Sequence, residues 1–283
     1  MSDLTKLIWL IPAAALAADA ARLPLWTEAP PAETLRLADG ADPRGRLTAK
    51  GRRTDVFLPD LEPFPARSQG APLILIFPGG GYNILAEDHE GVDAARRFQQ
   101  LGCAAAVVRY RVPRRDPNRP WSAPLLDARR ALELARSHAP EWGADPSKVV
   151  ALGFSAGGNL VARLAYQPGE TRLARPNYAV MVYPAYLLRD AKGPAALLDG
   201  PEGIVPAKPG RAAPAFLVHS ADDPIPSAGS LALAEALRAI GTPAEARIYP
   251  SGGHGWGVTG SCPASREWPE LVATWLRAQG ALR

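Results

Sequence analysis

The chain has 283 residues, of which 47% are hydrophobic and 21% are charged, as is typical of a globular protein with a full core. This length accommodates one large α/β domain, and the sequence contains no internal repeat of the kind that builds solenoids or propellers. The formal net charge is only +4, and the basic residues are scattered among acidic ones without the aromatic motifs of RNA-binding domains. We therefore exclude nucleic acid as a partner and interpret the following arginines as solvent-facing: Arg52, Arg53, Arg96, Arg97, Arg114, Arg115, Arg129 and Arg130.

The two cysteines, Cys103 and Cys262, form neither a C-x-x-C motif nor the spacing of a metal site. Cys103 begins an apolar stretch, so we interpret it as a small buried hydrophobic residue. No disulfide is assigned to the pair, and neither a metal nor a cofactor is predicted.

Residues 7–17 form an apolar run behind Lys6 that is too short to cross a bilayer as a helix. The run ends in Ala15-Leu16-Ala17, which fits the small-residue pattern of a signal-peptide cleavage site. We therefore predict a secretory signal peptide over residues 1–17, which places the mature protein in the periplasm or outside the cell without stable membrane insertion. The alternative is an N-terminal helix that stays with the protein.

Apolar runs and helical periodicity alternate along the rest of the chain. Continuous apolar runs bounded by turn residues predict strands that are buried on both faces, as in a parallel sheet. The predicted strands cover residues 54–58, 73–77, 103–110, 148–152, 178–183, 215–219 and 244–249. The predicted helices cover residues 91–101, 125–138, 159–165, 231–240 and 265–279. The alternation indicates an α/β fold with a mostly parallel central sheet flanked by helices.

Two segments lack such patterns. Residues 61–72 contain four prolines and glycines and are predicted to form a loop. Residues 184–214 form an irregular segment of a length that compact domains usually reserve for lids or binding loops. We therefore predict a single domain over residues 25–283 with a short irregular cap at residues 184–214.

The segment Gly153-Phe154-Ser155-Ala156-Gly157 lies between a predicted strand and a predicted helix. A G-x-S-x-G motif in this context is typical of the nucleophile elbow, a sharp turn that projects the serine hydroxyl above the sheet. Glycines two residues either side of the serine let strand and helix approach without Cβ clashes. The pattern predicts Ser155 as a nucleophile, and the alternative is a chance match in an ordinary strand–helix turn.

The segment Pro78-Gly79-Gly80-Gly81-Tyr82 directly follows the predicted strand at residues 73–77. A glycine triplet there leaves backbone N–H groups unshielded at the carboxyl edge of the sheet. The HGGG loops of esterases use such amides to bind an oxyanion, and Pro78 stands here in place of the histidine. The alternatives are a flexible turn or a phosphate-binding loop, although neither the P-loop nor the G-x-G-x-x-G spacing is matched.

A serine nucleophile needs a base within hydrogen-bond reach, and that base needs an orienting carboxylate. His254 stands in a glycine-rich loop after the last predicted strand, and Asp222 and Asp223 follow the strand before it. The order serine, aspartate, histidine is that of the α/β-hydrolase fold, and either aspartate fits this order.

The other histidines and acidic residues considered are not assigned to the site. His89 lies in a charged stretch, and His138 and His219 are interpreted as structural. Asp127 and Glu133, on the predicted helix at residues 125–138, are interpreted as surface or capping groups.

The chain resembles the secreted carbohydrate esterases of the α/β-hydrolase superfamily, namely the acetylxylan and feruloyl esterase-like proteins. The similarity covers about residues 25–276 and rests on these segments: Pro78-Gly79-Gly80-Gly81-Tyr82-Asn83, Arg109-Tyr110-Arg111, Gly153-Phe154-Ser155-Ala156-Gly157-Gly158, Asp222-Asp223-Pro224 and Tyr249-Pro250-Ser251-Gly252-Gly253-His254-Gly255. Asn159 departs from the family pattern, in which a histidine often follows the second glycine of the elbow.

This resemblance implies an α/β-hydrolase fold and roles for individual residues. Ser155 would be the nucleophile, and His254 would be the general base and then the acid. Asp223 would be the carboxylate, because similar proteins place it four residues after the position of His219, although Asp222 competes for this role. The oxyanion hole would consist of the backbone N–H groups of Gly80, Gly81 and Ala156.

The activity implied by the resemblance is hydrolysis of carboxylic esters through an acyl-enzyme. Acylated xylan, or another small-molecule or oligosaccharide ester, would be the substrate. One alternative is a serine peptidase of the prolyl-oligopeptidase type, which usually carries a propeller domain that this chain is too short to contain. The other is a non-catalytic binding protein with the hydrolase fold, which predicts a damaged triad or glycine loop, and the sequence shows no such damage.

Overall fold

The computed structural model describes residues 22–167, 175–188, 204 and 212–283. The strands are β1 (Leu23–Pro24), β2 (Arg46–Leu47), β3 (Arg53–Thr54), β4 (Asp60–Phe64), β5 (Ala71–Phe77), β6 (Ala104–Arg109), β7 (Ala144–Phe154), β8 (Tyr178–Val182), β9 (Ala215–Ser220) and β10 (Ala244–Tyr249). The helices are α1 (Asp93–Gln100), α2 (Ser122–His138), α3 (Ala156–Tyr166), α4 (Ala228–Ala239) and α5 (Pro263–Ala278). A π-helical turn, Asp88–Val92, precedes α1, and a 3-10 turn, Ala139–Trp142, follows α2.

Within the described residues, eight strands form one sheet in the order β1-β4-β6-β5-β7-β8-β9-β10. The strands from β6 to β10 run parallel, and β4 and β1 add an antiparallel edge. The chain moves from β5 to β6 on one side and then to β7 on the other. The loops that follow β5 and β7 therefore border a crevice at the carboxyl edge, where ligands bind in sheets of this type.

Apolar side chains cover both faces of this sheet. Leu73, Leu75 and Phe77 of β5 pack in a cluster with residues of α2 and α3. Ile74 and Ile76 point the other way and pack in a second cluster with residues of α1 and α5. Burial on both faces explains why the central strands read as continuous apolar runs, and the predicted helix-flanked parallel sheet is confirmed.

The strand predicted at residues 54–58 is wrong, and the loop predicted at residues 61–72 is confined to residues 65–70. Thr54 ends the two-residue strand β3, and residues 60–64 form β4, which includes Pro63. On its outer side, β4 pairs with β1 at Asp60 and Leu61, so Pro63 lies beyond the end of β1. Proline is tolerated at such a position because its missing N–H leaves no partner unsatisfied. Val56 makes a single bridge with Val112 instead of a ladder.

Two arginines that we interpreted as solvent-facing are buried. Arg53 forms an ion pair with Glu87, and Arg115 bonds to Glu33 at 2.8 Å. The paired residues lie at least 34 positions apart in the chain, so local sequence gives no sign of the pairing.

Asp127 is also fully buried, which corrects its interpretation as a surface or capping group. Its carboxylate accepts hydrogen bonds from the backbone N–H and the Nε of Arg111, at 3.0 and 2.9 Å, and from Trp26 Nε1 at 2.9 Å. A buried carboxylate is tolerated because these donors replace its lost hydration.

None of the helices in the described part of the chain has the length and apolar character needed to cross a membrane. The predicted signal peptide at residues 1–17 lies outside the described residues, as does most of the predicted cap at residues 184–214.

Candidate active site

Ser155 occupies the turn between β7, which ends at Phe154, and α3, which begins at Ala156. Its backbone angles are φ 49° and ψ −117°, outside the regions that residues with a side chain normally adopt. Such strain costs about 1–3 kcal/mol and concentrates at functional sites. The turn is held from β8, because the Ser155 N–H donates to Val182 O at 3.0 Å and the Ser155 carbonyl accepts from the Ala185 N–H at 3.0 Å.

The glycines of the elbow are required by close backbone contacts. A Cβ on Gly153 would lie 2.1 Å from Gly157 O, and a Cβ on Gly157 would lie 2.0 Å from Phe77 O. Any side chain at these positions would push α3 away from the sheet. The second contact also sets the start of α3 against the end of β5, where the glycine loop begins.

His254 connects Ser155 to an aspartate. Its Nε2 lies 2.9 Å from Ser155 Oγ, and its Nδ1 lies 2.7 Å from Asp223 Oδ2. A proton on Nδ1 is donated to the carboxylate, so Nε2 keeps a lone pair that accepts the serine hydroxyl proton. The structure thus brings together three side chains from the loops after β7, β9 and β10.

The two adjacent aspartates have different contacts. Asp223 bonds to His254, whereas Asp222 is exposed and accepts the backbone N–H groups of Gly252 and Gly253 at 3.2 and 2.8 Å. Asp222 therefore holds the backbone of the loop that carries His254, whereas Asp223 bonds to the imidazole itself.

Asp223 is held in its charged form. Burial alone would raise its pKa, but hydrogen bonds from His219, His254 and the Ile225 N–H outweigh burial and lower the pKa to about 2. The Ile225 N–H lies 2.7 Å from Asp223 Oδ1. At neutral pH this carboxylate is ionised and can orient the imidazole and stabilise its protonated form.

His219 is buried directly behind Asp223. Its Nε2 lies 3.0 Å from Ile225 O and 3.3 Å from Asp223 Oδ2, and its Nδ1 lies 2.9 Å from Ser230 Oγ. Since both neighbours of Nε2 are acceptors, the proton must be on Nε2, and the Ser230 hydroxyl donates to Nδ1. His219 therefore holds the acid of the candidate triad in place, a contact that the sequence did not reveal.

The glycine loop lies against Ser155, since a Cβ on Gly79 would be 2.9 Å from Ser155 Cβ. The Gly79 N–H is already bonded to Glu90 Oε2 at 2.7 Å, so it cannot serve a substrate. The next two residues, Gly80 and Gly81, have φ values of 128° and 64°, which favour glycine. Ala156, the third residue predicted for an oxyanion hole, is the first residue of α3, and the N–H groups of a first helical turn have no acceptor within the helix.

Two residues that sequence reasoning missed join this loop to the histidine loop. The Tyr183 hydroxyl donates to Glu90 Oε1 and accepts the Gly257 N–H, both at 2.8 Å. The Tyr183 ring meets the His254 imidazole edge-on with centroids 4.9 Å apart. The sequence carried one signal for Tyr183, which directly follows a buried strand, because a buried tyrosine hydroxyl requires a hydrogen-bond partner. The sequence around Glu90 offered none.

Asn159, the departure from the family pattern, also makes buried contacts. Its Oδ1 accepts the Tyr82 hydroxyl at 2.8 Å, and its Nδ2 donates to Tyr186 O at 2.9 Å. The exposed Tyr186 ring stacks on Tyr82 at a centroid distance of 6.2 Å. Asn159 thus links the glycine loop to the segment that follows β8.

The remaining histidines have other partners. His138 Nδ1 lies 3.0 Å from Glu141, and His89 Nε2 lies 3.8 Å from Glu90. Across residues 22–167, 175–188, 204 and 212–283, no group of three histidine, cysteine or acidic side chains is arranged to hold a metal ion. Both cysteines are free, and burial raises the pKa of Cys103 to about 12.

Comparison with known proteins finds α/β hydrolases and esterases among similar chains. A protein family described as having the alpha/beta hydrolase fold matches residues 74–202. The acetylxylan esterase of Xylanibacter ruminicola is 30% identical over 212 residues, which are 68% of this chain and 42% of that protein. Esterase LipQ of Mycobacterium tuberculosis is 28% identical over 211 residues, which are 65% of this chain and 48% of that protein. The chain therefore spans less than half the length of these two relatives.

A solved structure of similar size is the acetyl ester-xyloside bifunctional hydrolase of Caldicellulosiruptor lactoaceticus. It is 29% identical, has a TM-score of 0.69, and the match covers 93% of this chain and 97% of that one. The α/β hydrolase MGS-M1 from a deep-sea metagenome library is 28% identical with a TM-score of 0.65, over 78% of this chain and 92% of that one. The chain therefore has the α/β-hydrolase fold and resembles the esterases of that superfamily, as its sequence motifs indicated.

Proposed function

We propose that the chain is a serine hydrolase of carboxylic esters that acts through an acyl-enzyme. The observation that carries this proposal is the hydrogen-bond chain from Ser155 through His254 to Asp223, built on a strained elbow beside a glycine loop. A weakly nucleophilic hydroxyl next to an oriented imidazole and an ionised carboxylate is the arrangement that acyl transfer requires.

In the first half of the reaction, His254 Nε2 accepts the Ser155 proton while Oγ attacks the ester carbonyl carbon. The carbonyl π electrons move to oxygen and form a tetrahedral oxyanion. His254 then gives the proton to the leaving alcohol, and the C–O bond to that alcohol breaks. In the second half, His254 deprotonates a water molecule that attacks the acyl-enzyme, and the acid leaves as Ser155 recovers its proton.

The oxyanion would be held by backbone N–H groups of Gly80, Gly81 and Ala156. Gly79 is excluded because Glu90 already accepts its N–H, and the Ser155 N–H is excluded because it donates to β8. Amides at the start of α3 also benefit from the positive end of the helix dipole.

We propose acylated carbohydrates, with acetylated xylan first, as the substrate class. The support is the similarity to an acetylxylan esterase and to an acetyl ester-xyloside hydrolase. At the rim of the site, the Arg114 guanidinium bonds to Gly81 O at 2.9 Å and to Asn83 Oδ1 at 3.1 Å, near the exposed ring of Tyr186. An aromatic face beside amide and guanidinium donors suits a ligand that is rich in hydroxyl groups.

We also infer that residues 1–17 act as a signal peptide that exports the protein. The support is the apolar run that ends in Ala15-Leu16-Ala17. N-terminal sequencing of the protein from an expressing culture tests this inference: a mature chain that begins near Ala18 supports export, and a retained Met1 contradicts it.

The catalytic proposal is tested with p-nitrophenyl acetate and a fluorophosphonate probe. The wild-type protein should hydrolyse the ester and be labelled at Ser155, and Ser155→Ala should abolish both. The control is Ser137→Ala, because Ser137 is an exposed helix residue whose hydroxyl bonds to Leu134 O, and this variant should keep full activity. Unchanged turnover in Ser155→Ala would end the proposal. Release of acetate from acetylated xylan, compared with release from feruloylated arabinoxylan, tests the substrate class.

A further inference from the structure

Glu90 is a buried carboxyl that joins two loops of the candidate site. Its side chain is 3% exposed, and its two oxygens bond in opposite directions. Oε2 accepts the Gly79 N–H at 2.7 Å, and Oε1 accepts the Tyr183 hydroxyl at 2.8 Å. The same hydroxyl accepts the Gly257 N–H at 2.8 Å. A continuous line of three hydrogen bonds therefore runs from the glycine loop to the loop after β10.

Both ends of this line lie next to reacting groups. Gly79 directly precedes Gly80 and Gly81, and Gly257 is three residues after His254. The Tyr183 ring contacts the His254 imidazole, and the Tyr183 hydroxyl donates to Glu90, which accepts the Gly79 N–H. This line of hydrogen bonds, the Glu90 bridge, thus connects the amides that would hold an oxyanion to the imidazole that would move the proton.

The other hydrogen bonds of the glycine loop stay within it or lead to other parts of the molecule. The Asn83 N–H and Ala86 N–H bonds to Gly80 O and Gly79 O lie within the loop and its own connection. Outside that connection, the Tyr110 hydroxyl donates to Pro78 O at 2.6 Å and the Tyr82 hydroxyl to Asn159 Oδ1 at 2.8 Å. The Arg114 guanidinium donates to Gly81 O at 2.9 Å. Glu90 itself lies in the π-helical turn before α1, an irregularity that is frequent at functional sites.

We propose that Glu90 is a positioning residue that sets the separation between the oxyanion-binding loop and His254, acting through Gly79 on one side and Tyr183 on the other. This inference rests on the proposed function. A displacement of about 1 Å between catalytic groups can cost about 100-fold in rate, so the bridge should affect kcat more than substrate binding.

The experiment compares variants that keep or break the bridge. Glu90→Gln keeps the length of the side chain, because the amide oxygen can accept from Gly79 while the NH2 donates to the Tyr183 oxygen. Glu90→Leu keeps a similar volume and removes both bonds, and Tyr183→Phe keeps the bond to Gly79 and removes the link to Gly257. The matched control is Glu87→Gln, which changes an equally buried carboxyl three residues earlier that pairs with Arg53 and Arg109.

On p-nitrophenyl acetate, Glu90→Leu and Tyr183→Phe should lower kcat per labelled Ser155 by about 10-fold to 100-fold with KM within about threefold. Glu90→Gln should stay within about threefold of wild type, and Glu87→Gln should lose thermal stability but keep its kcat. If Glu90→Leu does not fold, Tyr183→Phe decides. The proposal is overturned if Glu90→Leu or Tyr183→Phe keeps the wild-type kcat, or if Glu87→Gln loses as much.

Amide hydrogen exchange separates this inference from the proposed function. Glu90→Leu and Tyr183→Phe should speed exchange in the glycine loop and in the loop that carries His254, whatever the protein's activity. If the wild type shows neither ester turnover nor probe labelling, the proposed function fails and the exchange result alone decides the bridge. Unchanged exchange in both loops would overturn it.

Discussion

Exchanging each of the adjacent aspartates for asparagine separates their roles, because the same chemical change is made one residue apart. In Asp223→Asn, the Ile225 N–H lies 2.7 Å from Oδ1 and needs an oxygen there. The new NH2 group must then take the place of Oδ2, facing His254 Nδ1 at 2.7 Å. The imidazole can accept that NH2 only if its own proton moves to Nε2, where it points at Ser155 and can no longer serve as the base.

The wrong tautomer costs about 10⁴-fold in kcat in the Ser-His-Asp template, which corresponds to about 5 kcal/mol of activation free energy. We expect a loss of that order for Asp223→Asn. Asp222→Asn keeps an oxygen that can accept the Gly253 N–H, and the group is exposed, so its kcat should stay within about twofold to threefold of wild type.

The assay is steady-state hydrolysis of p-nitrophenyl acetate at neutral pH, with circular dichroism to establish that each variant is folded. Measuring the thermal midpoint of both variants shows whether a rate change comes from unfolding. The reasoning is refuted if Asp222→Asn loses as much kcat as Asp223→Asn, or if Asp223→Asn keeps more than about a tenth of the wild-type kcat.

Three further outcomes are expected. Gly80→Ala should lower kcat by about 100-fold or more, because its Cβ would lie 2.1 Å from Ile84 O and displace an oxyanion donor. In Gly81→Ala the new Cβ has space, so this variant should lose less than about tenfold in kcat. Equal losses of the two variants in the p-nitrophenyl acetate assay would contradict this expectation. Arg109→Met removes the cation that bonds to the buried Asp60 and leaves Glu87 with Arg53 as its ion-pair partner, so urea denaturation should show a loss of about 3–5 kcal/mol. An unchanged midpoint would show that the Arg109 ion pairs contribute nothing to stability. Because the pKa of Asp223 falls from 3.8 to about 2 on folding, its charge contributes about 2 kcal/mol above pH 4 that is lost as pH falls toward 2. The stability difference between wild type and Asp223→Asn should therefore shrink by about half from pH 7 to pH 3, and a constant difference would contradict the assignment.

Much of the fold is readable from the sequence, because the central strands are buried on both faces and must be apolar throughout. The runs at residues 73–77 and 215–219 predict strands that coincide closely with β5 and β9. β4 escaped this reasoning because it is covered on its outer side only by the two residues of β1, and a strand near the sheet edge tolerates proline.

The candidate site divides in the same way. Ser155 is predictable because a sharp strand–helix turn demands glycines at fixed spacing, and those contacts are local. The choice between Asp222 and Asp223 is not local, since neighbouring residues on a turn share their sequence context and differ only in where their side chains point.

The sequence by itself determined the layered α/β fold, the elbow and the glycine loop, because each of these depends on residue types at short, regular spacings. Only the tertiary structure decided which aspartate meets His254, that Asp127 is an interior group, and that Glu90 and Tyr183 connect the two loops of the site. The physical reason is that a buried polar group is defined by its partners, and these partners come from segments up to about a hundred residues away.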